Sequence, residues 1–179
     1  MPRSDVNGRS ARKRVSHCWQ KRRGLWLDFP STPNDTGYSY ESIFGDYLTG
    51  AKKVIVEDPY IRMQHQVANF VRFCELLVRQ GTVRQVELIT GYDDSAQQAE
   101  TGKRLADLTE SLKDMDIELK VKFDLHLHDR AIKPDNGWVI KIGRGLDVYQ
   151  KPESWFEIGA NDLNLRRCLE TNVDIFQMS

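Results

Sequence analysis

The sequence predicts an α/β fold: a mixed sheet flanked by helices. Apolar runs of strand length recur at residues 54–56, 83–90 and 116–125, separated by stretches with helical periodicity. A "PDNG" turn then joins two further strand-like runs, and "TNVDIFQM" reads as a last strand. The chain has 179 residues, 40% hydrophobic and 29% charged, which suits one soluble domain with a tail and leaves enough length to bury a core.

The elements follow in order. Residues 1–24 are rich in Arg, Lys, Ser and Gly without periodicity and predict a disordered arm. "GLWLDFPSTPNDTG" is a short apolar run followed by a loop, so residues 1–37 are assigned to a basic arm and linker. "YSYESIFGDYL" predicts a helix with Ser39 as N-cap and Ile43, Phe44, Tyr47 and Leu48 on one side. "KKVIVEDPYIR" predicts a buried strand ending on a polar corner at Glu57, Asp58 and Pro59. Residues 63–80 place Val67, Phe70, Val71, Cys74, Leu77 and Val78 at helical spacing, with Gln66, Asn69, Arg72, Glu75 and Arg79 opposite and Gly81 as the stop. After the strand "VRQVELIT", a polar helix carries a narrow stripe of Leu105, Leu108, Leu112 and Met115. "DIELKVKFDL" alternates Ile117, Leu119, Val121 and Phe123 inward with charges outward, the pattern of a half-buried strand. Trp138 and Trp155 read as core or dimer-interface aromatics in preference to a membrane-wedging role.

The net charge of zero is a sum of unlike parts. Residues 1–23 hold eight basic groups against Asp5 alone, while the rest of the chain has 18 basic and 25 acidic residues. Charge alone would let this arm grip nucleic acid or an anionic membrane, although a linker role is the reading preferred here. Three cysteines without a CxxC pair fit a reducing, cytoplasmic setting. No apolar stretch is long enough for a signal peptide or a membrane span, so membrane contact is expected to be peripheral.

The densest chemistry lies in "HLHDRAIKPDNGWVIKIGRGLD", residues 126–147. His128 and Arg130 are two apart and would share a face if the backbone is extended. A guanidinium offers a planar fork of donors matched to phosphate, and an imidazole could donate to the same oxygens or attack phosphorus. Lys141 and Arg144 add positive charge after the turn. Arg62 and His65 follow the first buried strand, at a strand-to-helix corner that is either a helix start with solvated charges or a ligand site of the kind found in α/β proteins, where Glu57 and Asp58 could orient them. Spacing alone leaves an anion site and a charged hairpin edge both open. The histidines lack further ligands at metal-binding spacing, and no cofactor is implied.

"HDRAIKPD" resembles the His-x-Lys-x4-Asp motif of the phospholipase D superfamily, with His128, Arg130 in place of Lys, and Asp135. "GRGLD" stands where that superfamily has Gly-Ser-x-x-Asn; Gly143 matches, and Arg144 and Asp147 depart. Together "VEDPYIR", "NFVRFCELL", "HDRAI", "NGWVIKIGRGLD" and "ETNVDIF" resemble the C-terminal phospholipase-D-like domain of MIT-domain-containing proteins, which work with the ESCRT machinery. The resemblance covers roughly residues 38–177 and assigns residues 38–179 to a phospholipase-D-like sandwich. It implies a homodimer that has lost catalysis and binds phosphoinositide or other anionic membrane lipid. The first 37 residues are too short and irregular for the three-helix MIT bundle, so recruitment through that bundle is not carried over, and the protein partner is unassigned.

Superfamily enzymes use one histidine as nucleophile and another as general acid, with lysines on the phosphoryl oxygens. The replacements at Arg130, Arg144 and Asp147 favour binding over chemistry. The phosphate-binding expectation therefore rests on His128, Arg130, Lys141, Arg144, Arg62 and His65. Two alternatives stand beside it. One is a dimeric phosphodiesterase using His128, Arg130 and Asp135, and the other is a nucleic-acid-binding accessory protein gripping through its arm.

Overall fold

The computed structural model of the chain describes residues 34–178, together with the backbone of residues 25–29. The described elements are β1 (Leu25–Phe29), α1 (Tyr40–Leu48), β2 (Lys53–Glu57), α2 (Gln64–Gln80), β3 (Gln85–Thr90), α3 (Ser95–Lys113), β4 (Glu118–Phe123), β5 (Ala131–Pro134), β6 (Trp138–Ile142) and β7 (Thr171–Gln177). The strands form one mixed sheet of order β1-β7-β6-β5-β2-β3-β4. β2, β3 and β4 are parallel, as helical crossovers require, whereas β5, β6, β7 and β1 pair antiparallel.

Local chemistry sets the helix ends. Ser39 holds extended backbone and its hydroxyl accepts from the Ser42 amide at 3.2 Å, which starts α1. Asp94 does the same for α3 by accepting from the Gln97 amide. α2 stops at Gly81, whose φ of +71° is the left-handed conformation that a Cβ would strain. The crossovers through α2 and α3 step the same way across the sheet, so both helices lie on one face. α1 packs against the far side of α2.

The core is the layer between these helices and the sheet. Leu88, Val56, Ile132, Ile140 and Ile175 lie in register across five strands, each at most 1% exposed. Tyr40, Phe44, Phe73 and Tyr149 pack over them edge-on or stacked. The opposite sheet face is polar and paired. Glu87 accepts from Lys122 at 2.6 Å and pairs with Lys53 at 3.0 Å, while Lys133 and Glu57 meet at 2.7 Å. The two lysines hold the Glu87 carboxyl below its ordinary value.

The sheet and helix order agree with the expected α/β class, and the differences in detail have physical reasons. Leu25–Phe29, assigned to the linker, pairs with β7 as an edge strand, and the proposed disordered arm at residues 1–24 lies outside the described residues. α2 is the central helix, so Phe73, Leu76 and Asn69 are buried as well, although one-sided periodicity had put Asn69 on the solvent face. Met115 lies beyond the end of α3 and is 55% exposed, so it does not extend the leucine stripe. Val121 and Phe123 are only half-buried because β4 is the sheet edge. Trp138 is half-buried against Tyr47, but Trp155 stands 59% exposed and is no core residue.

Glu87→Gln should lower stability by about 1 kcal/mol at neutral pH, a modest figure because Lys122 is solvated. A depressed carboxyl stabilises above its unfolded value and loses that contribution as pH falls. Unfolding midpoints measured on either side of pH 4.5 should therefore differ less in Glu87→Gln than in the parent chain.

Candidate functional site

Strand β2 is the point where the sheet changes direction, parallel to β3 on one side and antiparallel to β5 on the other. Its C-terminal end therefore opens beside the start of β5 and the end of β6. Open α/β sheets form crevices at such places. A cavity of about 170 Å³ lies here, lined in part by Asp58, Tyr60, Asn69, Arg130, Arg144 and Asp147.

Asp58, the first residue after β2, organises this corner. It is 4% exposed, and its carboxylate accepts from the Tyr60 amide at 2.9 Å and from the Leu146 amide. Arg130 Nε lies 3.9 Å away. Burial raises the Asp58 carboxyl above its ordinary value, and the two amides and Arg130 offset part of that rise. The folded chain thus holds this proton more tightly than the unfolded one. The group's contribution to stability is greatest near and below pH 3.8 and declines as pH rises above it.

Arg130 is held by three neighbours. It donates to the Gly143 carbonyl at 2.5 Å, faces Asp58, and sits over the Tyr60 ring with 4.2 Å from Cζ to the centroid. Arg144 donates from Nε to the Glu170 carbonyl at 2.9 Å, and its own amide donates to Thr171 Oγ1. Both guanidinium groups border the cavity on backbone anchors. Across from them, Asp147 accepts from Asn69 Nδ2 at 3.2 Å and lies 3.7 Å from His65 Nε2. Asn69 in turn accepts from Arg72 at 3.0 Å.

The six sequence-predicted residues are only partly brought together. Arg130 and Arg144 line the cavity, and His65 stands at its rim through Asp147. Arg62 is turned to Asp93 and stacks over Tyr60 at 5.2 Å without lining the cavity. His128 is exposed in the loop before β5 and is not part of the lining. The backbone becomes a strand only at Ala131, so the expectation that His128 and Arg130 share a strand face is corrected. Lys141 lies on the helix-free face of β6, 3.9 Å from Asp129. Asp135 is at the other end of β5, where its carboxylate accepts from the Lys52 amide and fixes the hairpin turn. Tyr60 and Asn69 were missed as site residues. A tyrosine in a loop and an asparagine in an amphipathic helix carry no spacing signal, and only the fold brings Tyr60 under Arg130 and Asn69 against Asp147.

Among the described residues, no group of three or more His, Cys, Asp or Glu is placed to hold a metal ion, and no helix is long and apolar enough to cross a membrane.

The topology and the His-x-Arg segment entering β5 define a phospholipase-D-like α/β domain. Residues 37–177 match the family model described as the phospholipase D-like domain at the C-terminus of MIT, and the chain belongs to that family. It is 44% identical over 145 residues to MIT domain-containing protein 1 of Mus musculus, an alignment covering 80% of this chain and 58% of that protein. The chain thus spans little more than half the length of this relative.

Gly145 is the backbone hinge of the site. Its φ is +60°, and an added Cβ would stand 1.9 Å from Asp58 Oδ2. Gly145→Ala should cost at least about 2 kcal/mol in urea unfolding, because left-handed strain and a clash with a buried carboxylate act together.

Proposed function

We propose that this chain is a non-catalytic phospholipase-D-like module that binds acidic phosphate groups on anionic membranes, phosphoinositides among them, as a homodimer. The observation that carries this reading is the pairing of Arg130 and Arg144 at one cavity, each fixed by a backbone carbonyl. Guanidinium groups anchored in this way keep free N–H donors for phosphate oxygens at little ordering cost. Asp58 opposes an incoming phosphate least in its neutral form, which its burial favours, and Asp147 accepts a hydrogen bond from Asn69 with the His65 ring beside it.

The placement of His128 supports binding over chemistry. A nucleophilic histidine must reach the phosphorus that the arginines hold, yet His128 is exposed outside the cavity. The homodimer belongs to the same reading. The sheet face opposite the helices keeps Ile55, Ile89 and Phe176 half-buried among paired charges, and a second copy is proposed to meet it there.

Co-sedimentation with vesicles of phosphatidylcholine, with and without a phosphoinositide, tests the proposal. Binding should require the anionic lipid and weaken with salt. Arg144→Glu, at an exposed side chain, should reduce binding about tenfold, whereas Arg130→Gln should reduce binding and lower the unfolding midpoint as well, because buried Asp58 loses its charged partner. Equal binding by parent and variants would overturn the site. Hydrolysis of a generic phosphodiester that disappears in His128→Ala would replace the reading with a phosphodiesterase. Salt-sensitive DNA binding lost on deleting residues 1–23 would replace it with the nucleic-acid reading.

A further inference from the structure

Between the bridge of Tyr149 with Cys168, residues 150–167 form one long loop closed at its base, where the Gln150 amide donates to the Arg167 carbonyl at 2.9 Å. Its tip carries Trp155, Phe156 and Ile158, which are 59%, 100% and 86% exposed. Large apolar side chains this open on adjacent positions are unusual for a soluble surface, and they mark a contact.

The loop is built to hold them out. Arg166, 7% exposed, reaches through the interior of the loop and donates to the Gly159 and Ala160 carbonyls. Ser154 Oγ accepts from the Phe156 amide at 3.1 Å, and the Ser154 carbonyl accepts from the Glu157 amide at 3.4 Å. Glu157 lies between the two most exposed apolar residues, but its carboxylate turns back to accept from the Glu153 amide at 3.0 Å. Asp162 stays exposed and accepts from the Asn164 amide at 2.9 Å in a local turn. The tip is thus a fixed turn with its apolar side chains outward.

We propose that this loop is a wedge that inserts into the facing leaflet of a bilayer carrying anionic headgroups. The inference rests on the membrane reading above and adds the element that would enter the lipid. Two aromatics and an isoleucine present on the order of 400 Å², short of the roughly 800 Å² per partner that a stable protein interface buries. A bilayer needs no complementary groove and accepts a convex tip. Indole suits the headgroup boundary, with its ring in the acyl region and its N–H among polar groups. Exposed Lys151 and Arg167 stand at the two feet of the loop, where lipid phosphates would lie.

Trp155, at the near edge of the wedge, stands on the side of the molecule where the candidate phosphate cavity opens. Trp155 borders a cleft of about 680 Å³ together with His65, Asn69 and Asp147, and the last two also line the cavity. One docking orientation therefore serves both.

The test uses the full chain and vesicles of phosphatidylcholine and phosphatidylserine with brominated acyl chains. Tryptophan emission should be quenched on binding, and Trp155→Phe should lose that part of the quenching. Phe156→Ser combined with Ile158→Ser should weaken vesicle partitioning by about tenfold or more at an unchanged unfolding midpoint, since neither side chain is buried. Binding that depends on Arg144 without Trp155 quenching, and that the serine pair leaves intact, would overturn the wedge and leave the phosphate site standing. Trp155 quenching that Arg144→Glu does not alter would support the wedge and count against the site. Self-association abolished by the serine pair, in a chain that does not bind vesicles, would assign the patch to a second copy and overturn the wedge.

Discussion

The buried carboxylate of Asp58 is the constraint on which the functional end of this molecule depends. It stands at the last hydrogen-bonded step of β2, its amide still donating to the Ile89 carbonyl. From there it gathers the Tyr60 amide, the Leu146 amide and Arg130. An ionisable group taken out of water must find partners or give up its charge. Those partners come from three separate parts of the chain, so satisfying one carboxylate fixes the geometry of three loops. The segment from Gly143 to Asp147 can pass this close only because Gly145 has no side chain.

The same arrangement underlies the proposal that the cavity binds phosphate. Each arginine spends donors on a backbone carbonyl and turns the rest toward the opening. Groups held in this way lose little freedom when a ligand arrives. The histidine that a phosphodiesterase would need has no comparable support, because it precedes the strand and sits in solvent. Asp147, where the superfamily has an amide, is absorbed into a polar chain that runs from Arg72 through Asn69 toward His65.

The two faces of the sheet divide the remaining work. One carries the helices and the aliphatic row from Leu88 to Ile175, the main source of stability. The other carries charges that pair across strands, Lys53 with Glu87 and Lys133 with Glu57, around half-buried Ile55, Ile89 and Phe176. The long loop after β6 adds a third surface, with a buried arginine at its centre and aromatics at its edge. Burying Arg166 is tolerable because its donors meet carbonyls within the same loop.

By itself the sequence determined what depends on neighbours along the chain. The helix start at Ser39, the stop at Gly81, the PDNG turn and the alternation of β4 were all legible there, because caps, turns and periodicity are local chemistry. Several separated segments in the right order also carried the family. Tertiary structure alone decided which charges meet. His128, Arg130, Lys141 and Arg144 lie within 17 residues of sequence, yet only the two arginines line the cavity, because β5 and β6 turn Lys141 to the opposite face and leave His128 ahead of the strand. Tyr60 and Asn69 joined the site from distant segments, and the apolar tip at Trp155 became visible only when the core closed without it. Burial is a property of the packed chain, and no spacing rule encodes it.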